Sequence, residues 1–237
     1  MTFKTQDNLK IRGWYATSPF GRRLLIIIHG FDLTHKDMIN RSLGVYPEVA
    51  DICLIDLRNH GLSESSSTTF GYREALDVEA VTKYFSAKYD EIIIWGSSMG
   101  AAAAVRAARL GASVDMLILE GLYDDLSNAI AIQAKHYFIP RIPFVLIGLF
   151  FYQHISGVDL KVMNMCENLK TIDKIPVLLI HSRADQEVPM SSFNSLKESL
   201  GNNGKAFILE RGGHVSIYEE NLIKYRNRVM EFIVNKK

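Results

Sequence analysis

Apolar residues in this chain gather in short runs, and most of those runs are rich in β-branched side chains. Leu24-Leu25-Ile26-Ile27-Ile28, Asp51-Ile52-Cys53-Leu54-Ile55-Asp56, Glu91-Ile92-Ile93-Ile94-Trp95, Asp115-Met116-Leu117-Ile118-Leu119-Glu120 and Val177-Leu178-Leu179-Ile180-His181 are each too short for a core helix. Unbroken runs of this length fit strands covered on both faces, since a strand open to water on one side alternates apolar with polar residues. Leu9 to Ala16 alternates loosely and reads as an early strand ending at the turn Thr17-Ser18-Pro19-Phe20-Gly21. Ala206-Phe207-Ile208-Leu209-Glu210, after the turn Gly201-Asn202-Asn203-Gly204, reads as the last.

Between the strands the period becomes helical. From Tyr72 to Lys88, apolar residues at Ala75, Leu76, Val78, Val81, Tyr84 and Phe85 mark one face of a helix. Asp37 to Leu43, Met99 to Leu110, Ser191 to Leu200 and about Ser216 to Val234 are further helices, the second stopping at Gly111, a residue suited to a left-handed cap. This order predicts an α/β fold, a mostly parallel sheet with helices on both faces. Only residues 122–170 break the alternation. A polar-started helical stretch from Asp124 to Phe138, Pro140, Pro143 and the apolar run from Phe144 to Tyr152 predict inserted helices over the sheet, an inserted helical lid. The apolar run falls short of the roughly 20 residues that span a bilayer. A chain of 237 residues, 48% of them hydrophobic, can bury one sizeable core, so residues 1–237 are expected to form a single domain with that insertion.

Chemistry concentrates behind the third long strand. Gly96-Ser97-Ser98-Met99-Gly100 matches G-x-S-x-G, in which the central serine sits on a tight strand-to-helix turn. Ser98 is the candidate nucleophile, and the amide of Met99, at a helix N-terminus, faces the space where an oxyanion would form. A serine hydroxyl needs a base that an acid orients. His214 follows the last strand and Asp185 the one before it, both in loops at the same sheet edge. Asp124 and Asp125, after the preceding strand, are alternative acids. His29, His60 and His181 are expected to hold loops together, Glu120 and Glu187 to be structural, and His35, His136 and His154 to be ordinary surface or hydrogen-bonded residues. Met163 and Met165 suit either core filling or an acyl-chain groove.

Serine, aspartate and histidine in this chain order resemble the α/β-hydrolase fold family over nearly the whole length. That resemblance implies that His29-Gly30-Phe31 is the oxyanion loop, with the amide of Phe31 as second donor, although Phe31-Asp32 stands where many relatives carry another glycine. It also implies that Asp56-Leu57-Arg58-Asn59-His60-Gly61-Leu62-Ser63, similar to the D-x-R-x-H-G-x-S turn of many small esterases and lipases, shapes its loop. The activity it implies is serine hydrolysis of a carboxylic ester or thioester, small or acyl-chain, with no metal and no cofactor. A ligand-binding or sensing protein on the same scaffold, and an acyltransferase or amidase with the same triad, stay open.

Charge and cysteine content narrow the partners. Twenty-seven basic against 26 acidic residues give a formal charge of +1 with no basic block, which argues against a nucleic-acid partner. Two distant cysteines, Cys53 and Cys166, and no signal-peptide pattern at the start make a reducing, cytoplasmic setting the expectation. The expected partner is a small-molecule ester or acyl substrate, with weak membrane-surface contact through residues 144–152 as a secondary expectation; oligomeric state is left open.

Overall fold

In the computed structural model, which describes every residue except 20, 49, 203, 236 and 237, the buried runs pair into one sheet. Its strands are β1 (Thr2–Lys4), β2 (Lys10–Ala16), β3 (Arg23–Ile28), β4 (Asp51–Asp56), β5 (Glu91–Ser97), β6 (Met116–Glu120), β7 (Val177–Ser182) and β8 (Gly204–Leu209). They lie in the order β1-β2-β4-β3-β5-β6-β7-β8. The β1–β2 and β2–β4 pairs are antiparallel and the rest parallel. The three-residue β1 was not anticipated, because only Phe3 within it is apolar and buried. Of the two expected turns, Phe20 in one and Asn203 in the other lie outside the described residues.

Strand pleating explains why the runs are apolar throughout. Leu24, Ile26 and Ile28 of β3 join Ile92 and Ile94 of β5 in a core on one face, while Leu25 and Ile27 join Ile93 and Trp95 on the other. Successive side chains point to opposite faces, so a strand covered twice has no polar position to spare.

The helices are α1 (Ile39–Leu43), α2 (Glu74–Phe85), α3 (Met99–Arg109), α4 (Leu126–His136), α5 (Leu146–Ser156), α6 (Met165–Thr171), α7 (Met190–Glu198), α8 (Ile217–Glu220) and α9 (Leu222–Val234). Alanines 101, 102, 103, 104 and 107 are fully buried, which lets α3 lie close on the sheet. The expected single C-terminal helix is in fact two. It breaks at Asn221, whose side-chain amide donates to the carbonyls of Arg211 (2.7 Å) and Ile217 (2.9 Å) and so ends α8.

Between β6 and β7, α4, α5 and α6 form the insertion, linked by a kinked segment at Arg141–Val145 and a short 3₁₀ turn at Leu160–Met163. Met163 and Met165 are fully buried in the core, so core filling is the correct choice and the groove reading is not. Among the described residues no helix is long and apolar enough to cross a membrane.

Candidate active site

The turn from β5 into α3 leaves one residue between strand and helix, and that residue is Ser98. Its backbone has φ 50° and ψ −114°, a region that non-glycine residues enter only under constraint, at a cost of about 1–3 kcal/mol. Packing supplies the constraint. A Cβ on Gly100 would lie 2.5 Å from the His29 carbonyl oxygen, and one on Gly96 would lie 2.6 Å from the backbone of Gly100 and Ala101, so only glycines let the chain double back here. The Ser98 amide donates to the Glu120 carbonyl at 2.8 Å, tying the turn to the end of β6.

Because β5, β7 and β8 are parallel, their exit loops emerge at one edge of the sheet, and residues far apart in sequence meet there. His214 Nε2 lies 2.8 Å from Ser98 Oγ, and His214 Nδ1 lies 2.8 Å from Asp185 Oδ2. The other Asp185 oxygen accepts from the amides of Glu187 and Val188, each at 2.9 Å. Asp124 and Asp125 are engaged elsewhere. Asp124 accepts from Asn128 and from Ser192 Oγ at 2.9 Å, and Asp125 caps α4.

Burial would by itself raise the Asp185 carboxyl, but the hydrogen bond and charge of His214 and the Val188 amide outweigh it and hold the group below the usual carboxylate range. For His214, burial pushes down while its bond to Asp185 and that residue's charge push up, leaving the imidazole above its ordinary value. A second ring, His181, sits with Nδ1 3.9 Å from Asp185 Oδ2 and stacks on Phe193. Burial lowers it and keeps it neutral.

Gly121 was not among the sequence candidates. It has φ 59°, and a Cβ there would stand 3.0 Å from His214 Cε1 and 3.2 Å from Nδ1, so this glycine is the floor on which the imidazole rests. The available signal was its place directly after an apolar strand, level with the serine turn.

The loop after β3 completes the rim. His29 accepts the Leu57 amide at Nε2 (3.0 Å) and donates from Nδ1 to the Gly30 carbonyl (2.6 Å). Burial, outweighing its bond to the Gly30 carbonyl, pushes it down to about 4, so it stays neutral and keeps that pattern. His60 likewise donates from Nδ1 to the Arg58 carbonyl (2.9 Å) and accepts the Asp32 amide at Nε2 (3.2 Å). Asp32 adopts φ 59°, the left-handed conformation a glycine would take without strain. Asp56 accepts from the amides of His35 (2.7 Å) and Leu62 (2.9 Å), and Ser63 Oγ donates to its carbonyl (2.6 Å). The motif from Asp56 to Ser63 therefore shapes the loop that the histidines clamp. Among the described residues, neither the Phe31 nor the Met99 amide has a backbone partner, and both residues face the same cavity as Ser98.

That cavity, about 1000 Å³, opens over Ser98 and His214. One wall is a face of α4, with Leu126, Ala129, Ile130 and Ala134, and Phe70 and Val188 also line the cavity. Glu187 is the one acidic side chain lining it, and no lysine or arginine does so. Among the described residues no group of three or more His, Cys, Asp or Glu is placed to hold a metal ion.

A doubly covered sheet with a serine on a strained turn, a histidine within hydrogen-bond reach of it and a buried aspartate behind defines a class of α/β proteins built for chemistry at the carboxyl edge of the sheet. The chain belongs to the alpha/beta hydrolase family, whose sequence model matches residues 25–222. It is 28% identical over 234 residues to the uncharacterized protein YqkD of Bacillus subtilis, covering 95% of this chain and 75% of that one. It is also 27% identical to the AB hydrolase superfamily protein YisY of the same organism, over 84% of this chain and 87% of that one. Among solved structures, the Pyrococcus furiosus esterase Pf2001 superposes with a TM-score of 0.81 at 23% identity, covering 98% of this chain and 89% of that one. An esterase from Exiguobacterium antarcticum superposes at 0.73 with 17% identity and 98% coverage of each chain.

Proposed function

We propose that the protein is a serine hydrolase of carboxylic esters with an apolar acyl group, working through an acyl-enzyme on Ser98. The observation that carries this reading is the unbroken hydrogen-bond line Ser98–His214–Asp185 opening into a largely apolar cavity. His214 takes the Ser98 proton as Oγ attacks the ester carbonyl. Asp185, ionised and doubly bonded by backbone amides, fixes the ring with Nε2 toward the serine and offsets its developing charge. The amides of Met99 and Phe31 receive the oxyanion, aided by the N-terminus of α3. His214 then protonates the departing alcohol, and water on the same base releases the acid.

The cavity supports the substrate class. Its walls suit an aliphatic or aromatic acyl group, and without a lysine or arginine it offers nothing to neutralise a carboxylate or phosphate on the substrate. Residues 122–170 act in this reading as a lid on the domain, with α4 as the side that meets substrate. The test is Ser98→Ala, purified in folded form. It is expected to lose on the order of 10⁶ in turnover of p-nitrophenyl esters. Turnover near the unsubstituted protein would remove Ser98 from the mechanism.

A further inference from the structure

Helix α5 faces water with the wrong side chains. Its inward stripe is ordinary: Leu149 and Tyr152 pack on the body, and Tyr152 lies 6.5 Å from Phe70 between ring centroids. A surface helix should then carry charge on its outward face. Here the outward positions are Leu146, Ile147, Phe150, Phe151 and Ile155, from half to 84% exposed. Phe144 just before the helix is 60% exposed, and Phe138, at the end of α4, is 94% exposed. Single exposed apolar residues need no explanation, but a contiguous set of this size marks a contact surface.

Charge says what the contact is. From Leu126 to Val158 the sequence contains no aspartate or glutamate, and its two charged residues are Lys135 and Arg141, both exposed. Against a second copy of the chain, a twofold contact would bring these cations toward their own kind with no carboxylate in the segment to answer them. Against an anionic bilayer the same arrangement is complementary: aromatic and aliphatic side chains enter the headgroup boundary while lysine and arginine meet phosphates. Tyr137, which lines the cavity and is itself 76% exposed, connects the patch to the site.

From this we infer that the outer face of α5, with Phe138 and Phe144, is a docking surface for an anionic lipid bilayer, seating the mouth of the cavity at the membrane. The docking stands independently of the hydrolase reading. It is tested by co-sedimentation of the intact protein with phosphatidylcholine vesicles, plain or carrying about a third phosphatidylglycerol. Binding is expected to the anionic vesicles, to weaken with salt, to fall about fivefold for Lys135→Gln or Arg141→Gln, and to vanish for the double variant Phe150→Asp/Ile155→Asp. The double variant should keep its thermal melting point and its elution volume, because both side chains are exposed. No binding of the unsubstituted protein would overturn the proposal, as would unchanged binding of the double variant. A dimer that the double substitution splits would overturn it in favour of a second copy as occupant.

Discussion

The rim of the sheet and the helices inserted above it treat solvent in opposite ways. At the rim, polar groups are buried and held: Asp185 has three hydrogen bonds, Glu120 pairs with Arg41 at 2.8 Å and accepts from Tyr225 and Ser97, and His29 and His60 each bond through both nitrogens. On α5 in the insertion, apolar side chains stand in water and its own polar side chains bond locally, as where His154 donates to the Phe150 carbonyl one turn back. Buried, satisfied polar groups fix geometry, since any displacement strands a donor or acceptor at about 1–3 kcal/mol. Apolar contacts are non-directional and tolerate repacking. Under the proposed function, the contrast places chemistry at the rim and substrate choice in the insertion.

The sharpest way to break that division is to disturb the rim. Asp185→Asn should lower kcat about 10⁴-fold, because an amide presents the imidazole with the wrong partner, whereas Asp124→Asn should leave kcat near the unsubstituted value. Equal losses from both, measured on the same ester, would mean that the acid is shared. Glu120→Gln comes next. Losing the buried carboxylate leaves the Arg41 guanidinium with the part-exposed Glu219 at 3.3 Å as its remaining acidic partner and should cost about 3 kcal/mol of stability, read from denaturant unfolding.

In the insertion the expected effects are smaller and selective. Ala134→Phe, narrowing the cavity wall, should cut kcat/KM for long-chain p-nitrophenyl esters by roughly 10–200-fold while sparing acetate. An equal loss across chain lengths would show that α4 does more than bound the cavity. The smallest effect is in pH dependence. Protonated His214 cannot accept the Ser98 proton, and its affinity for protons is raised. Activity should therefore fall as pH drops through a midpoint above the ordinary histidine value of about 6.5. In Asp185→Asn the partner that raises the imidazole is gone, burial prevails, and the midpoint should move to lower pH.

How much of this was legible in the sequence follows the same division. The parallel strands and the serine turn were readable because double burial forces continuous apolar runs and because Gly96 and Gly100 have no substitute where backbones nearly touch. The sequence left Asp185, Asp124 and Asp125 open as acids, and only their places in space separate them, Asp185 lying 2.8 Å from His214 while Asp124 bonds Ser192 and Asp125 caps α4. What the sequence hid was cross-chain: Gly121 beneath His214, and the pairing of Glu120 with Arg41 and Tyr225, depend on elements far apart in the chain that no local pattern links. The break at Asn221 was masked because apolar periodicity continues across it. The choice of core over groove for Met163 and Met165 needed the three-dimensional position, since methionine serves both environments.

The most direct measurement is reaction of the folded protein with a fluorophosphonate, followed by peptide mass mapping and residual ester hydrolysis. The account predicts a single adduct on Ser98 and activity lost in proportion to labelling. Full labelling with hydrolysis intact, or inactivation with the adduct on another residue, would contradict it.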